Sequence, residues 1–180
     1  MKKLNVLVVL ALIPFFGFSQ SIFDKYENMD NVGTVIVNKG MINLVSKLGE
    51  LSDDKEAEEF AEVAKGIDGI KVFITEDKGV STKMASTVKK YLKSSSMEEL
   101  MRAKDKDVNV KFYIKNGKDE SHVKELLMFV SGIKDVDLDV NGRKFETVLV
   151  SMTGDIDLNK ISTITNKMNL PNDLNRAGRN

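Results

Sequence analysis

Val108-Asn109-Val110-Lys111-Phe112-Tyr113-Ile114-Lys115, followed by Asn116-Gly117, is the stretch on which the fold turns. Val108, Val110, Phe112 and Ile114 alternate with Asn109, Lys111, Tyr113 and Lys115, the period-two pattern of a strand with one buried face. The alternation predicts that Phe112 faces the core and Tyr113 the other side. Asn-Gly accepts the positive φ angles of a tight hairpin, so the chain should reverse at Asn116-Gly117.

Downstream, Val123, Leu126, Leu127 and Val130 fit a helical spacing, while the short apolar run Leu126–Val130 fits a buried strand. The segment follows a hairpin signal and leads into Gly132, so it is read as a strand. Val136, Leu138 and Val140 alternate with aspartates, and Asn141-Gly142 marks a second hairpin with Phe145–Thr153 as the return strand. Gly154 then lets the chain turn. Asp155 or Asp157 caps a last helix with Leu158, Ile161, Ile164 and Met168 on one face, ended by Pro171.

Upstream, Ser21–Asn31 reads as a polar lead-in with one helical turn, and Val32–Val37 as a short strand. Met41, Leu44, Val45 and Leu48 form one apolar helix face with Gly49 as a stop. Ala57, Phe60, Ala61 and Ala64 repeat that spacing, with Asp53 and Glu56 as a capping box and Gly66 at the C-terminal end. Ile70–Ile74 is a strand. Ser81 caps a third helix whose inward residues are Met84, Val88, Tyr91 and Leu92, and Ser94–Ser96 end it. Met97–Lys104 reads as a strand entering a turn.

Helices come mainly first and strands mainly second. That order implies the α+β class: an antiparallel sheet of about five strands with helices packed on one face.

Residues 1–19 read differently. Lys2 and Lys3 precede an apolar run from Leu4 to Phe16, and Gly17-Phe18-Ser19 places small residues before Gln20. This is the pattern of a cleaved secretory signal, too short for a membrane-spanning helix of about 20 residues. The expected organisation is a signal over 1–19, a lead-in over 20–31, a single α+β domain over 32–169 and a polar tail over 170–180.

The 180 residues carry 27 basic and 27 acidic side chains; losing Lys2 and Lys3 leaves 25 against 27, a net −2. That balance argues against a nucleic-acid binder, which would carry a basic excess. There is no cysteine, which excludes disulfides, thiol nucleophiles and the acylated cysteine of a lipoprotein. No second long apolar run follows, so no membrane span is expected after signal removal.

Catalytic constellations are missing at the level of motif. His122 is the single histidine and sits among Asp119, Glu120 and Ser121, which reads as a solvated loop. No nucleophile elbow or phosphate loop is present. Asp53, Asp54, Glu56, Glu58, Glu59 and Glu62 line one helix, and Lys83, Lys89, Lys90 and Lys93 the next. They read as solvated faces, with partner docking as the functional alternative. The sharpest local pattern is Asp135-x-Asp137-x-Asp139-x-Asn141-Gly142. Asp137, Asp139 and Asn141 open a calcium-type loop, but the closing bidentate glutamate is replaced by Val148, so no metal site is assigned.

The signal pattern, the run Glu99-Leu100-Met101-Arg102-Ala103-Lys104-Asp105, the strand Val110–Lys115 and Met152-Thr153-Gly154-Asp155-Ile156-Asp157-Leu158 together resemble domain of unknown function family 4252. The resemblance covers roughly Phe23 to Met168. It implies a small exported protein of Gram-negative envelope bacteria and favours strand at Val123–Val130. It brings no activity, cofactor or catalytic residue.

The expected function is therefore a non-enzymatic interaction or ligand-binding domain of the periplasm, with no cofactor and an envelope protein as the kind of partner. The alternatives are a hydrolase using carboxylates in a cleft, or a weakly calcium-binding envelope module. The processing site gives a direct test. N-terminal mass analysis of the exported protein should find Gln20 as its first residue, and a protein retaining Met1–Ser19 would contradict the signal.

Overall fold

The β-branched stretches pair into one antiparallel sheet in the computed structural model, which describes residues 21–105, 107–133 and 145–160. The strands are β1 (Gly33–Asn38), β2 (Ile67–Thr75), β3 (Met97–Asp105), β4 (Val108–Asn116), β5 (His122–Ser131) and β6 (Thr147–Asp157). They lie in the order β1-β2-β6-β5-β4-β3. Helices α1 (Lys39–Glu50) and α2 (Lys55–Lys65) form a hairpin between β1 and β2, and α3 (Lys78–Ser94) joins β2 to β3. The class is α+β, with six strands where about five were expected. Val123–Val130 is strand, as its place after a hairpin signal implies.

Register decides the two faces, because paired residues point to the same side. Phe73, Leu149 and Phe129 share one face, as do Lys71, Ser151, Leu127 and Tyr113. On this face Val80, Met84 and Val88 of α3 close the larger core. Ile70, Met152, Leu126 and Ile114 share the opposite face. There Ile42 of α1 and Ala64 of α2 pack against Ile67, Val123 and Ile156. Helices thus lie on both faces of the sheet rather than one. The cause is legible in runs such as Leu126–Val130 and Val148–Leu149–Val150, which are apolar at consecutive positions and so leave neither face suited to water.

The same geometry corrects the reading of β4. Tyr113 lies buried beneath α3 and Phe112 is half-buried on the opposite face. Tyr113 shares its side of the alternation with the polar Asn109 and Lys111, but a tyrosine ring is mostly apolar surface and is buried at little cost.

The lead-in segment enters the core. Phe23 and Tyr26, flanking and ending a short 3-10 turn over Asp24–Tyr26, are 0% and 1% exposed. Phe23 meets Tyr91 edge-on at 5.2 Å, and Tyr26 meets Phe73 at 6.0 Å. Each burial of this size stabilises by roughly 1.5–3 kcal/mol. Two carboxylates from the same turn, Asp24 and Glu27, hold Lys71 at 2.6 and 2.7 Å.

Two caps shift from the sequence reading. Asp54, one residue beyond Asp53, caps α2 by accepting from the Glu56 amide at 2.9 Å, and Gly66 is its C-cap. Asp77 caps α3 by accepting from Val80 N–H at 2.8 Å. The helix therefore starts before Ser81, whose hydroxyl is instead buried and 2.6 Å from that of Thr147. A carboxylate suits an N-terminus better than a hydroxyl because it also meets the helix dipole.

The apolar stripe of α1 also turns out differently. Met41, Leu44 and Leu48 are 52, 52 and 61% exposed, and Ile42 and Ser46 are the buried positions. Gly49 explains this. It lies within the helix, and a Cβ there would sit 2.6 Å from the Ala57 carbonyl oxygen and 2.9 Å from the Ala61 methyl. The hairpin closes through its small side chains, which rotates the large ones outward.

Gly154 does not turn the chain. β6 continues through it to Asp157, with φ of 152°, and a Cβ would lie 2.1 Å from the Gly66 carbonyl oxygen. Of the two candidate caps, Asp157 accepts from the Asn159 amide at 2.9 Å, while Asp155 pairs with Lys118 at 2.7 Å. The signal over 1–19, the strand and hairpin read at Val136–Gly142, and the last helix beyond Lys160 lie outside the described residues.

Gly49→Ala tests the hairpin contact. Alanine gains about 1 kcal/mol of helix propensity over glycine, yet overpacking costs typically about 1–3 kcal/mol. Chemical denaturation should show a net loss of stability; a gain would mean that α1 and α2 do not meet at Gly49.

Candidate functional site

Where α3 ends, its face of the sheet changes from apolar to polar. Asn38 pairs with Gly69, Gly69 with Thr153, Thr153 with Glu125, and Glu125 with Lys115. These five residues come from β1, β2, β6, β5 and β4, which are consecutive in the sheet, and form one row across it. The next row carries Lys71 and Ser151 and, on its β5 and β4 side, Leu127 and Tyr113, where the core begins. Ser21, Ile22 and Asp24 wall one side, and Tyr91 and Ser94 from the last turn of α3 wall another. The result is a cleft of about 690 Å³, within the range of small-molecule sites. Gly69 keeps the floor low: a Cβ there would meet only ordinary contacts at 3.6 and 3.7 Å.

Glu125 is the central group. Its residue is 8% exposed. The Tyr91 hydroxyl donates to Oε2 at 2.6 Å, and the Ser151 hydroxyl lies 3.5 Å from Oε1, the outer limit of a hydrogen bond. A carboxylate offers about four acceptor positions, so Glu125 retains unused capacity. Burial, then the hydrogen bond and charge of Glu125, push the Tyr91 phenol above its ordinary range, so Tyr91 stays a donor. Lys71 is partly desolvated, which opposes its charge, but the hydrogen bonds and charges of Asp24 and Glu27 outweigh this and raise it.

The other charges at the cleft are paired. Lys71 holds Asp24 and Glu27, and Asp68 holds Lys39 at 3.1 Å. Among the described residues, Glu125 and Lys115 are the two cleft-lining charges with no ion-pair partner. Of the three acids that line the cleft, Asp24 and Asp68 are each committed to a lysine.

His122 opens β5 rather than lying in the loop, and its side chain is 20% exposed. Asp119 Oδ1 lies 2.7 Å from its Nδ1 and accepts from the Ser121 hydroxyl at 2.9 Å. Serine and aspartate thus address the same ring nitrogen within one turn, which is a turn lock and not a relay from base to nucleophile. The His122 hydrogen bond, followed by that of Ser121, lowers the Asp119 carboxyl to about 2. His122 also borders a smaller cleft of about 340 Å³ beside α2, whose lysines and acids largely pair with one another through Lys39–Asp68, Lys65–Glu62 and Lys160–Glu62. A third opening, between the starts of β1 and α3, is lined by Asp30, Glu76 and the helix cap Asp77.

The calcium-loop candidates Asp137, Asp139 and Asn141 lie outside the described residues. Among the described residues no group of three His, Cys, Asp or Glu side chains is placed to hold a metal. The sequence reading missed Glu125. Its signal was present but faint: an acid inside the mostly apolar strand Val123–Val130.

The sequence matches the family described as Domain of unknown function (DUF4252) over residues 26–164, and the chain belongs to that family. The match spans all six strands and the three helices α1 to α3. No curated protein and no solved structure matches the chain.

Tyr91→Phe removes one donor from a buried carboxylate. Hydrogen bonds to charged groups contribute about 1.5–3 kcal/mol, so denaturant unfolding should show a loss of that order. An unchanged midpoint would mean that the phenol does not serve Glu125. Asp119 gives a second check. Its lowered value means that its contribution to stability is full above the ordinary 3.8 and is lost as pH falls through about 2. The carboxyl carbon followed by NMR should titrate near 2, and return towards 3.8 in His122→Ala.

Proposed function

We propose that this chain is an exported, non-enzymatic binding domain of the periplasm, and that the cleft floored by Asn38, Gly69, Thr153, Glu125 and Lys115 receives a small polar ligand. The export half rests on the sequence: two lysines, an apolar run and small residues before Gln20. Among the described residues no helix is long and apolar enough to cross a membrane, which is compatible with release after processing.

One observation carries the binding half. Under α3 the sheet buries the apolar row Phe73, Leu149 and Phe129, then a row in which Leu127 and Tyr113 stand beside Lys71 and Ser151, and then presents a polar row around a carboxylate that is 8% exposed. Desolvating a charged group is costly unless it is paired. A fold that needed this row only for stability would do better with apolar side chains packed under an extended α3. Polar groups converging on an open, half-walled space are instead the composition of a recognition site.

The test is a thermal-shift screen of the 20–180 protein against free amino acids, amines, carboxylates, sugars and nucleosides, beside the variant Gly69→Leu. The variant fills the cleft floor, where the backbone leaves room. At a hundred times its Kd a ligand stabilises by about 2.7 kcal/mol. At least one class should raise the melting temperature of the wild type and leave Gly69→Leu unmoved. Equal shifts in both proteins, or none in either, would contradict the cleft as a binding site.

A further inference from the structure

We infer that the ligand of this cleft is a small zwitterion carrying an ammonium and a carboxylate close together, the chemistry of a free amino acid. The inference rests on the cleft being a binding site and goes further by fixing the charge pattern of its ligand.

Five charged side chains line the cleft: Asp24, Asp68, Lys71, Lys115 and Glu125. Three are neutralised inside the protein, Asp24 with Lys71 and Asp68 with Lys39. The remaining two are Glu125 and Lys115, opposite in sign and directly paired in register on β5 and β4. Side chains so paired start about 4.5–5.5 Å apart at Cβ, yet Glu125 and Lys115 form no ion pair with each other or with any described residue.

The surroundings favour a cation at Glu125. The carboxylate is held from the helix side by the Tyr91 hydroxyl, which fixes Oε2 and leaves Oε1 with one contact at the 3.5 Å limit. Tyr91 belongs to the last turn of α3, the negative end of the helix dipole, which stabilises positive charge nearby. An ammonium at Oε1 would take up the open acceptor capacity of a buried carboxylate. Lys115, one strand further along the same row, supplies the complementary cation for an anionic group. An amino acid bears its two charges on one carbon, so a single molecule can reach both neighbouring strands. The Thr153 hydroxyl and the Asn38 amide lie on the same row and offer further donors and acceptors on the ammonium side. A ligand with one charge would leave either Glu125 or Lys115 without a partner.

The experiment uses the full 20–180 protein and isothermal titration with the twenty free L-amino acids, then the N-acetyl and amide derivatives of any that bind. N-acetylation removes the ammonium and amidation removes the carboxylate. The expected result is binding of at least one free amino acid, weakened at least tenfold by either derivatisation. Glu125→Gln should abolish the penalty of N-acetylation, and Lys115→Met that of amidation, with folding checked by circular dichroism. If Glu125→Gln does not fold, the derivative series on the wild type decides. Equal binding of both derivatives and the parent overturns the inference. So does a sugar, nucleoside or singly charged compound that stabilises the wild type and not Gly69→Leu when no amino acid binds; that result leaves the cleft standing as a binding site. Absence of any cleft ligand overturns both readings.

Discussion

The register of β2, β6, β5 and β4 is the constraint on which the rest of this molecule depends. Lys71 opposite Ser151, Ser151 opposite Leu127, and Leu127 opposite Tyr113 place one set of side chains under α3. A slip of one residue would send that whole set to the other face and bring Ile70, Met152, Leu126 and Ile114 beneath the helix. Bulges at the ends of these strands, beside Asp68 in β2 and Lys124 in β5, allow Ile67 and Val123 to join the opposite core without disturbing the central rows. The polar row of the cleft lies where the regular register gives way to these irregularities, an arrangement common beside functional sites.

Covering both faces demands two different packing solutions. One face receives a long helix and the rings of Phe23 and Tyr26, so that segment before β1 is structural although its composition is polar. The other receives a helical hairpin brought close by Gly49, Ala57 and Ala61. Closing a hairpin through small residues has a geometric consequence: the large apolar residues of α1 are rotated away, and Leu44 and Leu48 stand 52 and 61% exposed. Exposed apolar positions of this kind contribute little to the core, and the hairpin is secured instead by Ile42, Ala61 and Ala64. Its ion pairs, such as Lys65–Glu50 at 2.7 Å, are largely exposed and add little.

In the cleft, electrostatics and packing meet. The Asp24–Lys71–Glu27 cluster ties the segment before β1 to the sheet and in doing so removes three charges from the chemistry of the site. Tyr91 does two jobs: its ring packs edge-on against Phe23, and its hydroxyl orients Glu125. The side chain that finishes the core therefore also presets the carboxylate, so the site is held by the same contacts that hold the fold.

The sequence alone determined the α+β class, the approximate positions of the described strands and helices, the strand at Val123–Val130 and the family, because periodicity and turn chemistry are local properties written into consecutive residues. Caps were legible to within a few residues, with Asp54 and Asp77 replacing Asp53 and Ser81, since several neighbouring side chains can serve and only the folded backbone selects one. Which face of each element meets the core was beyond reach at two places: Tyr113 displaced Phe112 beneath α3, and small residues at the hairpin contact turned the α1 stripe outward. The cleft was decided by tertiary structure alone. Asn38, Gly69, Lys115, Glu125 and Thr153 are scattered over more than a hundred residues, and no motif links them. They become neighbours because strands pair side by side across the sheet, and that pairing is a non-local outcome of burying two apolar faces at once.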